Sequence, residues 1–104
     1  MIPCICFFQD GQIDGARRAA LTAQLDAFSR RAFDAPANQT WIAVPPGNGF
    51  TEAKPSTSSI VTFQADTALD QPTRIRLLEE ICDIWMAETG CSLNEIVATV
   101  TDPQ

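Results

Sequence analysis

Whatever chemistry this chain performs is done without histidine. None occurs among its 104 residues, which removes Ser-His-Asp catalysis and the side chain that most often serves as a base near neutral pH. No glycine-rich phosphate loop and no nucleophile elbow are present either. The four cysteines are Cys4, Cys6, Cys82 and Cys91. Cys4 and Cys6 fall two apart in an extended run and so share a face. Zinc ligands favour turn spacings such as C-x₂-C, often with histidine. The cysteines therefore read as small buried hydrophobes, with no metal, no cofactor and no disulfide expected. The remaining polar chemistry lies with arginine, which grips carboxylates through a planar fork of donors. The basic residues are Arg17, Arg18, Arg30, Arg31, Lys54, Arg74 and Arg76. Arg30 and Arg31 suit the end of a helix, where positive charge meets the dipole. The others read by default as solvated helix residues. Trp41 and Trp85 read as core. Phe50, in a glycine-rich loop, is a pocket candidate. Glu52 beside it is a second acid or base only if it is more than a surface carboxylate.

The elements that must position these residues come in two similar sets. Residues 2–8 (IPCICFF) predict a strand. Asp14 caps a helix running to about Phe33, with Leu21, Leu25, Phe28 and Ala32 at helical spacing. Pro36 and Asn38 end that unit, and residues 40–44 (TWIAV) predict a second strand. The stretch 45–58 is a Pro/Gly/Ser loop. Residues 59–65 predict a third strand, and Asp70 caps a second helix with Pro72 in its first turn. Gly90 stops that helix. Ser92 to Glu95 has capping-box spacing, and residues 96–101 (IVATVT) predict a fourth strand. One constant offset carries Asp14 onto Asp70, Phe7 onto Phe63, Ile5 onto Val61, Arg18 onto Arg74, Leu21 onto Leu77, Leu25 onto Ile81 and Val44 onto Val100.

The chain thus predicts a single α+β domain over 1–104, a duplicated β-α-β unit in the order β-α-β-β-α-β, with pseudo-repeats 1–45 and 57–102. Right-handed crossovers put both helices on one face of a four-stranded sheet. The first strand is apolar on both faces. A wet second face would forgo about 1.5–3 kcal/mol per side chain, so that face predicts contact with another subunit.

Composition bounds the partners. The chain carries 7 basic and 13 acidic residues, a net charge of −6. That argues against nucleic acid and against an anionic membrane surface. No segment approaches the length of a membrane span, and the opening MIPCICFFQDG lacks the features of a signal peptide. A cytoplasmic protein is expected.

The repeat, Gln9-Asp10 after the first strand, and Pro45-Pro46-Gly47-Asn48-Gly49-Phe50 after the second together resemble the tautomerase superfamily. The likeness is nearest to its longer members, such as the cis-haloacrylate dehalogenases, and covers almost the whole chain. It implies a trimer whose sheets surround a central core, oxalocrotonate tautomerase-like chemistry, and an N-terminal proline as base. This chain departs there. The catalytic proline position falls on Met1, and Pro3 is inside the chain, with an amide nitrogen that is neither basic nor nucleophilic. The bulky Ile2 predicts that Met1 is retained. The resemblance then implies two readings. In one, the Met1 amine is the general base or a Schiff-base former. In the other, the site has decayed.

The dehalogenases' helix histidine matches Phe28, their two arginines match Asp66 and Leu69, and their tyrosine matches Thr99, so dehalogenase chemistry is not carried over. Some short tautomerases keep a substrate-binding arginine where Arg17 and Arg18 stand, and Arg74 is the repeat partner of Arg18. The expected function is an isomerase of small enol or keto acids, with Met1 catalytic, Arg17, Arg18, Arg74 and Phe50 binding a small-molecule carboxylate or carbonyl substrate, and a homotrimer. The alternatives are a catalytically degenerate trimer with a binding or structural role, and a ferredoxin-like dimeric module.

Overall fold

A computed structural model describes residues 1–45, 47, 50, 51, 54, 55 and 58–103, with residues 50, 51, 54 and 55 as backbone. Strand β1 (Ile2–Gln9) leads into helix α1 (Gly15–Phe33) and strand β2 (Ala37–Val44). The short strands β3 (Phe50–Thr51) and β4 (Lys54–Pro55) follow. Strand β5 (Ser59–Gln64), helix α2 (Gln71–Thr89), a single 3₁₀ turn (Leu93–Glu95) and strand β6 (Ile96–Thr101) complete the chain. The main sheet has the order β2-β1-β5-β6, with β1/β2 and β5/β6 parallel and β1/β5 antiparallel. Each crossover joins adjacent strands. A ferredoxin-like module splits its β-α-β units, so this order sets that alternative aside.

The two helices are built alike because their ends are coded alike. The Asp14 carboxylate accepts from the Arg17 N–H at 2.8 Å, and the Asp70 carboxylate accepts from the Thr73 N–H at 2.8 Å. Such caps satisfy amides that have no partner inside a helix. At the other ends Asp34 and Gly90 both adopt the left-handed conformation, at φ 56 and φ 72. Their N–H groups donate to Arg30 O and Met86 O.

The duplication is also written in the strand register. Cys6 pairs with Val61, and the residues at the repeat offset from each, Thr62 and Ile5, pair with one another. Cys4 with Phe63 and Phe7 with Ile60 are related in the same way. A local twofold therefore passes through the β1/β5 ladder. It fails at the outer strands. Phe7 pairs with Ile42, whereas its repeat mate Phe63 pairs with Val100. Val44 and Val100 are therefore not structural equivalents, as the sequence offset suggested. The 3₁₀ turn, in which the Glu95 carboxylate accepts from the Ser92 N–H at 3.0 Å, lengthens the second half before its last strand.

Alternation sorts the strands. Ile2, Cys4, Cys6 and Phe8 of β1, with Val61 and Phe63 of β5, face the helices and are buried with Leu21, Leu25, Phe28, Ile81 and Trp85. Ile42, Phe7, Ile60 and Val97 stand on the opposite face. The pairings Ile42–Phe7, Phe7–Ile60 and Ile60–Val97 make them one row across all four strands. Ile42, Ile60 and Val97 are exposed. β2 begins at Ala37 rather than Thr40, because the start of β1 gives Ala37 to Gln39 a parallel partner in spite of the polar side chains of Asn38 and Gln39.

Candidate active site

Met1 heads β1 at one end of the sheet and is 76% exposed. Beneath it the Ile2 N–H donates to Pro36 O at 2.9 Å. The Ser29 hydroxyl donates to Ala35 O at 2.7 Å, and the Ala37 N–H donates to the Asp26 carboxylate at 3.0 Å. Arg30 also donates to Asp26, at 2.9 Å. These bonds, Arg30's first, hold the Asp26 carboxyl below its ordinary pKa. Pro3 is exposed on the open sheet face, and its nitrogen is an amide within the strand.

Because β1 and β5 are antiparallel, the N-terminus of α2 comes to Met1's end of the sheet and the N-terminus of α1 goes to the other. Arg74 is at Met1's end. Its guanidinium is taken up within the protein: Nη1 donates to Val100 O, and Nη2 donates to Leu69 O at 3.1 Å and to the Asp102 carboxylate at 2.7 Å. Its Nε donates to Gln71 at 2.8 Å. Only 17% of the Arg74 side chain is exposed. The guanidinium in turn keeps the Asp102 carboxyl below its ordinary pKa.

Arg17 and Arg18 lie at the opposite end, the length of β1 away from Met1, or about 23 Å at a strand's rise. Arg17 sits 3.9 Å from Asp14. The Arg18 guanidinium lies over two rings, 5.5 Å from the centre of Phe8 and 5.2 Å from that of Trp41. Phe8 meets Trp41 edge-on at 5.7 Å, and Trp41 stacks on Trp85 at 5.7 Å. Trp85 is fully buried, and its indole N–H has no acceptor among the described residues. The Trp41 N–H donates to Gln39 at 3.0 Å. At this same end the Gly47 N–H donates to the Gln9 side chain at 3.4 Å, and Gln12 donates to the Ser59 hydroxyl at 3.3 Å. Gln9 thus ties β1 to the loop that follows β2.

The positions matched to dehalogenase groups differ in setting. Phe28 is fully buried among Phe33 and Phe63. Asp66 is exposed, while Leu69 and Thr99 are half-buried. Pro46, Asn48, Gly49 and Glu52, together with the Phe50 side chain, lie outside the described residues.

Cys4 and Cys6 are buried with their sulfurs 3.9 Å apart. Hydrogen bonding to Cys4, then burial, push the Cys6 thiol far up. Among the described residues no cluster of three metal-ligating side chains occurs. A groove of about 410 Å³ between α2 and β6 is lined by Ile75, Leu78, Cys82, Met86, Leu93 and Ala98, with Glu79 and Asp83 beside it. Neither Met1 nor a candidate arginine reaches it. No helix of the described residues is long and apolar enough to cross a membrane.

No family profile and no curated protein matches the chain. Solved structures do. The crystal structure of native Ps01740 is 27% identical with a TM-score of 0.86, over 97% of this chain and 93% of that one. N1, a member of the cis-3-chloroacrylic acid dehalogenase family, is 17% identical with a TM-score of 0.84, over 97% of this chain and 74% of that one. A fused 4-OT, crystallised as a symmetric trimer, is 11% identical with a TM-score of 0.84, over 97% of this chain and 85% of that one. With its paired β-α-β units, its sheet order and these likenesses, the chain has the fold of the tautomerase superfamily.

Proposed function

We propose that the chain is a homotrimeric isomerase of small enol or keto acids in which the α-amine of Met1 is the general base. The observation that carries this reading is the place of Met1: an exposed residue at the head of a central strand of the sheet. In its neutral form an α-amine can take a proton from an enol hydroxyl and return one to carbon. The fused 4-OT that shares this fold is a symmetric trimer, which supports self-association through the open face. Of the candidate arginines, Arg74 is already engaged within the chain, and Arg17 and Arg18 are at the far end of the sheet from Met1.

Ketonisation of a simple enol pyruvate, followed with the intact protein and after acetylation of its N-terminus, tests the base. A rate above buffer that acetylation abolishes is expected. Equal rates, or none above buffer, would end the proposal. Two observations favour a trimer without catalysis: the position of the dehalogenase histidine is a phenylalanine sealed in the core, and Arg74 is spent on Asp102. Absence of any rate with enol acids, alongside a trimeric mass, selects that second reading.

A further inference from the structure

The seam where a helix meets its outer strand is closed in one half of the molecule and open in the other. Between α1 and β2, Gln39 donates to Thr22 O at 2.8 Å, and Asp26 accepts from the Ala37 N–H at 3.0 Å and from Arg30 at 2.9 Å. Counted from the caps Asp14 and Asp70, the α1 positions Thr22, Asp26 and Arg30 correspond to Leu78, Cys82 and Met86 of α2. Those three line the groove between α2 and β6. The second helix thus carries apolar groups where the first carries the polar groups of its sealed seam. Ala98 adds depth. It stands between Ile96 and Val100 on the helix side of β6, and its side chain is the shortest of the three.

The groove has the dimensions of a small-molecule site. Its volume of about 410 Å³ falls within the roughly 300–1,000 Å³ usual for such sites. From Ile75 to Met86 it follows about 16 Å of α2. The charge beside it has one sign. Glu79 and Asp83 lie one turn apart on α2, and neither is in an ion pair among the described residues. Like charges at this spacing repel, and a cation between them relieves the repulsion. The Asp83 charge is felt inside the groove, where burial first, then Asp83, push the Cys82 thiol up. An anionic ligand is disfavoured here, in a chain of net charge −6.

We propose that the α2/β6 groove binds an amphipathic cation, an aliphatic primary amine whose chain lies along Leu78, Cys82, Met86 and Ala98 and whose ammonium sits between the Glu79 and Asp83 carboxylates. A partner helix, about 10 Å across, does not fit within this volume. The site is complete within one chain and uses neither Met1 nor an arginine, so it stands apart from the proposed isomerase activity.

Cys82 lies in the groove and reports on it, whereas Cys4 and Cys6 are buried and report loss of fold. Decylamine is the probe, with decanol and decanoate as its uncharged and anionic counterparts. Labelling of Cys82 by N-ethylmaleimide, read by peptide mass, should be slowed saturably by decylamine. Decanol should need about fivefold more, and decanoate more still. Octylamine should be about tenfold weaker than decylamine, because its chain is two methylenes shorter. Glu79→Gln combined with Asp83→Asn should bring decylamine to the midpoint of decanol and leave decanol unchanged. Ala98→Leu should weaken both by filling the groove. Equal midpoints for the three probes, no protection at all, or an amine preference that survives the double substitution would each overturn the proposal. So would labelling of Cys4 and Cys6 in the presence of decylamine, which would mark it as a denaturant. A Cys82 that reacts in Ile60→Asp but not in the native protein would place a second copy in the groove and overturn it as well.

Discussion

Asp102 shows how a single carboxylate ties several parts of this fold together. It accepts from the Leu69 N–H at 3.1 Å and from Arg74, so the end of β6, the approach to α2 and the first turn of α2 meet on one side chain. Arg74 first, then Leu69, lower its pKa from the ordinary 3.8. Asp26 and Asp70 are lowered as well, by Arg30 and by the Thr73 cap. A carboxyl that is more acidic folded than unfolded adds stability above its unfolded pKa. That stability is lost as pH falls through the folded value. The midpoint of urea unfolding should thus hold steady above about pH 5 and drop as pH falls below about 4. Asp102→Asn should lower the midpoint at neutral pH and flatten the acid side of the profile. An unchanged profile would mean that the pairing contributes nothing. All three groups are solvent-exposed, so each separate contribution is small.

Matched ends make the two helices a controlled pair. Both finish on a left-handed residue, but one is Asp34 and the other Gly90. Only glycine adopts that conformation without a Cβ penalty. Asp34→Gly should stabilise the protein by up to about 1 kcal/mol, while Gly90→Ala should cost about 1 kcal/mol or more. Thermal unfolding of the two variants checks this, and shifts of the same sign would refute it. Element boundaries of this kind were legible in the sequence because single residues dictate them: Asp14, Asp70, Gly90 and the Ser92–Glu95 box all act locally. The start of β2 was not legible. Nothing local makes Ala37, Asn38 and Gln39 extended; their pairing with β1 does. The β3/β4 pair within the 45–58 loop was hidden for the same reason. Arginine placement was half legible. The repeat named Arg18 and Arg74 as mates, but only the antiparallel β1/β5 pairing shows that they serve opposite ends of the sheet. No local signal distinguishes an arginine stacked on rings from one holding Asp102.

For the molecule as a whole the informative surface is the sheet face turned away from the helices. The row Ile42, Phe7, Ile60 and Val97 crosses it from edge to edge, and Ile60 at its centre is 42% exposed. Burying these side chains in an assembly is worth about 1.5–3 kcal/mol each, and apolar patches of this kind mark contact surfaces. Light scattering should return about three times the 11.3 kDa chain mass. Ile60→Asp should reduce that to one chain, because the carboxylate would be desolvated at the centre of the contact. A native protein of single-chain mass would remove the trimer. The register difference between the halves bears on what such a ring looks like. Two identical repeats related by a local twofold would make its two rims the same. Here one rim carries Met1 and a self-neutralised Arg74, and the other carries an arginine laid on aromatic rings, so a ring of these chains has a head and a tail. With one outer strand paired two residues out of step, the two halves are unlike, and each end of the sheet presents a different chemistry.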